Sequence, residues 1–242
     1  MSYNFGNRTV KDGLVFYLDV ENRLSYIPNN TKWKSIAKDT SVGNFDPSSP
    51  PVFTNGLYNT GKKAIDFSGI LKETVVGKNG IEKLLDINKT GTITVQIYFA
   101  IEALEQEKFI FMAGQKALES IYAPQYAVGV SAYPPDDNIW VYLYHGGITA
   151  RFSTDGKARL KEFACMTVSF GASTKVYINE FYLGVHEITP IVSEMEGDYW
   201  VVGWNPTRDF YYDGGVNAIR VYNRELTATE VAESYNFFTQ RS

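Results

Sequence analysis

Aromatic side chains occupy every second position in the segment IWVYLYH, which runs from Ile139 to His145. Successive side chains of a β-strand point to opposite faces, so Trp140, Tyr142 and Tyr144 would share one face. Flat rings beside planar hydrogen-bonding groups suit sugar binding, but the same ring types anchor protein interfaces. We expect the rings to pack against a covering loop or a neighbouring subunit, with sugar binding as the alternative. The candidate glycan or interface face comprises Trp140, Tyr142, Tyr144, Gln96, Tyr98, Trp204, Tyr211 and Tyr212.

Three carboxylates alternate in the segment EMEGD: Glu194, Glu196 and Asp198. On a strand they would share one face at a spacing of about 7 Å. Retaining hydrolysis of a glycosidic bond needs two carboxyl groups roughly 5–5.5 Å apart. Gly197 interrupts the run, however, and the segment precedes the strand-like YWVVGW. We interpret it as a solvated acidic loop and predict no catalytic residue and no enzymatic activity, with glycoside hydrolysis as an alternative function.

Two further segments, PPDDN and NPTRDFYYD, carry carboxylate and amide oxygens of the kind that ligate calcium. Neither resembles an EF-hand loop, and Asp and Asn are equally common in turns. We therefore expect no cofactor and keep calcium as the alternative. Its candidate ligands are Asp136, Asp137, Asn138, Asp209 and Asp213.

The other reactive side chains are few. His145 and His186 are the only histidines, and no nucleophile motif accompanies either, so we expect turn or surface positions. Cys165 starts the strand-like FACMTV and is predicted to be a small buried side chain. No glycine-rich loop leads from a strand into a helix, which argues against nucleotide binding.

The composition argues against a nucleic-acid partner, an internal disulfide, a membrane span and a signal peptide. The 242 residues carry a net charge of −4, which argues against nucleic acid because phosphate binding needs clustered Lys and Arg. One cysteine cannot form an internal disulfide. No apolar segment approaches membrane-spanning length, and the first residues lack the apolar stretch of a signal peptide, so we expect synthesis in the cytoplasm without secretion.

Alternation with a period of two dominates the chain and predicts many antiparallel strands packed as two sheets. The segment LVFYLDV would place Leu14 and Phe16 together on the core face, and TITVQIYF would place Gln96 and Tyr98 on the outward face. The segment Asp39–Gly61 is interpreted as a long surface loop between strands.

Helical signals are confined to two segments. GIEKLLDI, at residues 80–87, predicts one or two turns of helix. Thr227 and Glu230 have the spacing of a capping box, and Leu226 and Val231 are placed to form a hydrophobic staple around it. We therefore predict a short C-terminal helix whose apolar side lies on the sandwich.

The chain contains the segments GGVNAIRVYNRELTATEVAESYN, TVSFGASTKVYINEFYLG, KKAIDFSG and VKDGLVFYLDVENRLSY. Together they resemble the concanavalin A-like lectin/glucanase superfamily, in its laminin-G-like branch. GGVNAIRVYNRELTATEVAESYN is similar to the last strand and helix of that branch, with a match from Val216 to Glu230. TVSFGASTKVYINEFYLG resembles its penultimate hairpin, with Asn179-Glu180 in place of the usual Asn-Gly turn. KKAIDFSG, at residues 62–69, is similar to a further strand of the same branch. The opening VKDGLVFYLDVENRLSY, with Trp33 soon after, resembles lectin-like domains in structural proteins of tailed bacteriophages.

The resemblance implies an all-β fold: a two-sheet antiparallel jelly-roll β-sandwich of the concanavalin A-like type with a short C-terminal helix. It also implies that the N- and C-terminal strands lie side by side and that the helix seals one end of the sandwich. We divide the chain into an N-terminal arm, residues 1–10, and a single sandwich domain, residues 11–242.

The opening segment implies a non-enzymatic virion structural protein of a tailed phage, as an exterior capsid decoration or a neck or tail accessory. Such a protein would be made in the host cytoplasm and would reside in the virion. Its partners would be other virion proteins in an oligomer or larger assembly, with surface glycans in addition, and neither nucleic acid nor membrane. The alternative is a carbohydrate-binding or receptor-binding lectin module, because a fold alone does not establish a function.

Overall fold

The computed structural model describes residues 10–27, 30–37, 42–68, 73–78, 92–103, 107–115, 126–133, 136–145, 148–187, 199–205 and 210–241. Two eight-stranded antiparallel sheets and one helix account for most of them. The sheets pack face to face as predicted, and the strands are numbered below in chain order.

The first sheet contains both the N-terminal and the C-terminal strand of the described chain. Its strands are β1 (Leu14–Asp19), β4 (Val52–Asn55), β5 (Lys63–Ser68), β7 (Ile93–Ile101), β12 (Phe163–Phe170), β13 (Ser173–Ile178), β14 (Phe181–Glu187) and β18 (Asp213–Tyr222). Their order is β14-β13-β12-β7-β18-β5-β4, and β1 also pairs with β18. The predicted side-by-side placement of the terminal strands is therefore confirmed.

The second sheet carries the aromatic segment. Its strands are β2 (Lys32–Lys34), β3 (Val42–Phe45), β6 (Val75–Lys78), β8 (Lys108–Gln115), β9 (Tyr126–Tyr133), β10 (Asp136–His145), β11 (Ile148–Ser153) and β15 (Tyr199–Val202). Their order is β11-β10-β9-β8-β15-β6-β3-β2. A separate two-stranded sheet joins β16 (Trp204–Asn205) to β17 (Phe210–Tyr211).

The core lies between the two large sheets. Phe16 of β1 meets Trp200 of β15 edge to face, with ring centroids 5.1 Å apart, and both side chains are fully buried. A bulge in β1 moves Leu14 to the opposite face, so Val15 enters the core in its place. The prediction that Leu14 and Phe16 share a face was therefore wrong, because one extra residue in a strand reverses the alternation.

The helix α1 (Ala228–Thr239) begins as its sequence predicts. The Thr227 hydroxyl accepts a hydrogen bond from the Glu230 N–H, and the Glu230 carboxylate accepts one from the Thr227 N–H. The staple residues Leu226 and Val231 are both buried in one apolar cluster. The capping box and the staple fix where the helix starts and how the chain enters it.

The helix lies across the outer face of the first sheet, which corrects the expectation that it closes one end of the sandwich. The cluster beneath it draws residues from five strands of that sheet. It includes Leu14 of β1, Tyr98 of β7, Cys165 of β12 and Phe238 of the helix. The centre of the first sheet is consequently buried on both faces, and every residue of β7 is buried.

The segment Asp39–Gly61 is not the long loop that its composition predicts. It contains β3, β4 and a 3-10 turn at Leu57–Asn59. Both strands have four residues and little alternation, so pairing with β6 and β5 determines their structure more than local preference does. The helical turns predicted at residues 80–87 lie outside the described residues, as does the N-terminal arm except Val10, which is buried.

The penultimate hairpin turns on two residues, as the resemblance implies. Ile178 pairs with Phe181, which leaves Asn179 and Glu180 as the turn. Only Asn179 takes a positive φ, of 56°, and its side chain is held at both ends. Its Oδ1 accepts from the Cys165 N–H at 2.9 Å, and its Nδ2 donates to the Lys157 carbonyl at 3.0 Å. These two bonds offset the cost of a left-handed residue where the family usually has Asn-Gly.

No helix in the part of the chain that the structure describes is long and apolar enough to cross a membrane.

Candidate functional site

Strand β10 presents its aromatic side chains on the outer face of the second sheet. Ile139, Val141 and Leu143 are buried in the core between the sheets, so the alternating side chains point away from it. Tyr142 is directly opposite Arg151 of β11 and Gly129 of β9. The predicted division of this strand into an apolar and an aromatic face is confirmed.

The three rings of this face differ in how far they are covered. Tyr142 is only 4% exposed, while Trp140 and Tyr144 remain partly exposed. Phe109 of β8 covers one side of Tyr142, with ring centroids 5.2 Å apart. Tyr142 is therefore covered by a ring of its own sheet and is no open stacking surface. Packing of these rings against a covering loop or a neighbouring subunit stays a prediction.

A charged pair lies over this aromatic cluster. The Arg151 guanidinium carbon stands 5.4 Å from the centroid of the Tyr142 ring, a distance at which a cation is attracted to the ring face. One guanidinium nitrogen of Arg151 donates to the Glu107 carboxylate, which lies just before β8. The pair thus crosses the sheet from β11 to β8 and passes over β10 and β9.

A bulge in β8 and a glycine in β9 shape the middle of this face. The register between β8 and β9 shifts between Phe109 and Phe111. A Cβ at Gly129 would stand 2.1 Å from the carbonyl oxygen of Lys108, so any larger residue would displace the β8 backbone. The glycine therefore allows β8 to approach where Glu107 enters the strand.

The small two-stranded sheet adds another ring to the same face. Trp204 of β16 is partly buried and packs on the apolar cluster that contains Tyr142, as does Tyr144. Tyr211 of β17 pairs with Trp204 across the strands and is partly exposed. The structure therefore brings Trp140, Tyr142, Tyr144 and Trp204 together on one side of the sandwich, with Tyr211 beside Trp204.

Three residues of the predicted face belong elsewhere. Gln96 and Tyr98 lie in the first sheet and are buried beneath α1, where Tyr98 stacks on Phe238 at 4.9 Å. The Gln96 amide donates to the Thr167 hydroxyl at 3.0 Å. Tyr212 is fully buried and donates from its hydroxyl to the Ala100 carbonyl at 2.6 Å. Their placement on an exposed face is corrected, because α1 and the core cover them.

The candidate calcium ligands are dispersed where the structure describes them. The Asn138 side chain of β10 is hydrogen-bonded to neighbouring residues: its Nδ2 donates to the Ser153 hydroxyl and its Oδ1 accepts from the Thr154 hydroxyl. Asp213 begins β18 in the other sheet. Within the described ranges, no three His, Cys, Asp or Glu side chains are grouped so that they could hold a metal ion.

The remaining calcium candidates are placed only in part. The backbones of Asp136 and Asp137 belong to β10, while their side chains are outside the described part. Asp209 lies outside it as well. The calcium hypothesis remains a prediction for these three residues.

The other candidate reactive groups show no catalytic arrangement in the described part of the chain. Cys165 is fully buried, as predicted, and burial raises the pKa of its thiol to about 12. His186 lies partly buried on β14 at the margin of the first sheet. The acidic segment with Glu194, Glu196 and Asp198, and the side chain of His145, are outside the described residues.

Comparison with known proteins identifies the fold family. A family model described as the concanavalin A-like lectin/glucanases superfamily matches residues 79–232, which is more than half of the chain. A comparison with curated protein sequences found no significant match. The family resemblance predicted from the closing segments is therefore confirmed.

Solved structures with the same architecture differ widely in sequence. Domain 4 of AbnA, an extracellular arabinanase from Geobacillus stearothermophilus solved with arabinotriose, is 15% identical at a TM-score of 0.63; the match covers 93% of this chain and all of that domain. The receptor-binding domain of a botulinum neurotoxin C/D mosaic is 11% identical at a TM-score of 0.64, over 94% of this chain and 52% of the other. Trypanosoma rangeli sialidase is 15% identical at a TM-score of 0.61, over 92% of this chain and 32% of the enzyme. The chain thus spans about half of the toxin domain and a third of the sialidase, and these likenesses concern the fold alone.

Proposed function

The chain belongs to the concanavalin A-like lectin/glucanase superfamily, and on this basis we propose that it is a non-enzymatic recognition domain that binds glycans on the outer face of its second sheet. One observation carries the proposal: the Arg151–Glu107 pair lies over Tyr142, beside the partly exposed rings of Trp140 and Tyr144. Planar hydrogen-bonding groups next to aromatic surface are the combination that sugar recognition requires.

The two large faces of the sandwich are unequal in what they offer a ligand. The outer face of the first sheet is covered by α1, and its aromatic residue Tyr98 is 2% exposed. On the second sheet, the Arg151 side chain is 40% exposed and the side chain of Glu107 is 12% exposed. On this face of the second sheet, accessible polar groups therefore lie beside partly exposed aromatic rings.

Solved relatives of the fold include domains seen with sugars. The arabinanase domain was solved with arabinotriose, and another botulinum neurotoxin binding domain was solved with SialylT. These ligands belong to those proteins, and they motivate the choice of test compounds here. We propose binding without turnover, because Glu107, a carboxylate that the described residues place on this face, is held by Arg151.

Titration calorimetry with neutral oligosaccharides, including arabinotriose, tests the proposal. We expect saturable binding that Trp140→Ala weakens about tenfold or more, since buried aromatic contacts dominate such sites. Tyr182→Ala is the matched control, because Tyr182 is 53% exposed on β14 of the other sheet. The proposal fails if no oligosaccharide binds, or if both substitutions have the same effect. Release of reducing ends from the same compounds would contradict binding without turnover.

A second candidate function is an exterior structural component of a tailed-phage virion. It is supported by the resemblance of Val10–Tyr26, and one feature of that region favours protein docking. Leu24 and Ile27 are 54% and 57% exposed, and exposed apolar side chains are favourable contacts in protein interfaces.

Recovery of the protein on purified virions tests the second candidate. We expect Leu24→Ser with Ile27→Ser to release the protein from particles. Leu160→Ser, at a side chain that is 48% exposed elsewhere on the surface, should leave association intact. A wild-type protein that never associates with particles would refute the virion role and leave the glycan proposal standing.

A further inference from the structure

One cation and one anion that are bonded to each other lie over Tyr142 on the second-sheet face. Arg151 and Glu107 are 44 residues apart in sequence and are joined by a hydrogen bond between their charged groups. Because the two charges are opposite and in contact, the pair offers a ligand strong donors and acceptors and has no net charge of its own.

Resting on the proposed function, we infer that this face selects uncharged, hydroxyl-rich sugars over acidic sugars. A hydroxyl group both donates and accepts, so two adjacent sugar hydroxyls can donate to the Glu107 carboxylate and accept from the Arg151 guanidinium while the pair stays intact. A sugar carboxylate only accepts hydrogen bonds. It would compete with Glu107 for Arg151 and would place two like charges side by side.

The surrounding structure keeps Arg151 in this pairing. Its guanidinium is attracted to the Tyr142 ring beneath it and bonded to Glu107, which lies three strands away at the start of β8. Glu107 in turn directly precedes Lys108, whose carbonyl oxygen approaches Gly129 so closely that no larger residue fits there. Turning Arg151 toward a ligand carboxylate would give up its ring contact and its ion pair with the mostly buried Glu107 side chain.

Matched neutral and acidic oligosaccharides test the inference by titration calorimetry. We expect arabinotriose to bind at least tenfold more tightly than trigalacturonate, and lactose at least tenfold more tightly than 3′-sialyllactose. Glu107→Gln removes the negative charge of the pair, so the ratio of acidic to neutral affinity should rise at least fivefold. Arg151→Gln should lower both affinities and reduce the ratio further.

Glu102→Gln is the control, because it removes a carboxylate from a similar ion pair, with Lys161 at 2.7 Å, that lies away from this face. It should leave the ratio unchanged. Acidic ligands that bind wild type as tightly as neutral ones, with binding still lost in Trp140→Ala, would overturn this inference and leave the proposed function intact. If neither class binds, the proposed function fails and this inference with it. If Glu107→Gln does not fold, the inference is still tested by the affinities of the wild type and of Arg151→Gln for neutral and acidic ligands.

Discussion

Arg241, two residues beyond the end of α1, forms ion pairs with Asp19 at the end of β1 and with Glu21. We predict that these contacts stabilise the folded protein. The Arg241 guanidinium bonds to Asp19 at 2.5 Å and to Glu21 at 3.2 Å. The Asp19 side chain is 4% exposed and that of Arg241 is 16% exposed, so most of this contact is shielded from water. The ion pair therefore differs from an exposed one, whose contribution to stability is usually small.

The expected cost of Arg241→Gln follows from the groups it leaves behind. Removing one partner of a buried ion pair costs about 3–5 kcal/mol, because the remaining charge is buried without compensation. Asp19 keeps two donors, the Tyr17 hydroxyl at 2.5 Å and the Glu21 N–H at 2.9 Å. We therefore expect a loss of about 2–3 kcal/mol, which corresponds to a fall in Tm of about 4–12 °C for a domain of this size.

Urea unfolding followed by tryptophan fluorescence, together with calorimetry, measures this loss. Arg159→Gln is the control, because its side chain is 71% exposed and stands 4.0 Å from Glu162, so we expect a change below about 0.5 kcal/mol. In a double-mutant cycle, Asp19→Asn combined with Arg241→Gln should show a coupling of about 1 kcal/mol or more. The reasoning is refuted if Arg241→Gln is no more destabilising than Arg159→Gln.

Three further predictions concern the stability of the protein at low pH, the reactivity of the Cys165 thiol and the packing of the second sheet. Hydrogen bonds from Arg224 hold the pKa of Glu230 at about 2, below its usual 4.5. The ionised Glu230 carboxylate therefore stabilises the folded protein above pH 4.5, and this stabilisation is lost as the pH falls through about 2. Glu230→Gln should therefore destabilise the protein by about 1 kcal/mol at pH 7 after allowance for solvent screening, and the difference in urea midpoint should vanish near pH 2. The thiol of Cys165 should resist iodoacetamide in the folded protein at pH 8 and react fully in urea, as mass spectrometry would record; rapid native labelling would contradict its burial. A Cβ at Gly77 would stand 1.9 Å from the Trp200 ring, so Gly77→Ala should cost about 1–3 kcal/mol or more in calorimetry, and an unchanged Tm would contradict this packing.

Features that depend on neighbouring residues could be predicted from the sequence. The capping box of Thr227 and Glu230 acts within one turn, and the alternation around Val141 reflects the period of a single strand. Both are confirmed because each is decided by a few adjacent side chains.

Features that depend on distant packing could not be predicted in the same way. Tyr98 alternates as an outward residue, but α1, far along the chain, covers it. Leu14 changes face because of a single bulge in β1, for which its own segment carries no signal. Alternation predicts the two faces of a strand, whereas other elements decide which face meets water.

The Arg151–Glu107 pair of the candidate site could not be predicted from the sequence pattern either. Arg151 alternates with Thr149 and Ser153 in ITARFS, which could have indicated its outward position in a strand. Its pairing with Glu107 depends on the order β11-β10-β9-β8 and on the bulge in β8, and neither is encoded in a local motif. The aromatic stripe indicated the correct face, and the structure added the polar groups on it.

The central claim is that the outer face of the second sheet receives the ligand, and the four tryptophans test it within one sample. Trp140 and Trp204 belong to this face, whereas Trp33 and Trp200 are fully buried in the core between the sheets. With the indole N–H groups labelled by ¹⁵N, titration with arabinotriose should shift the resonances of Trp140 and Trp204 and leave those of Trp33 and Trp200 in place. Saturable binding that moves neither Trp140 nor Trp204 would place the ligand elsewhere and contradict the account.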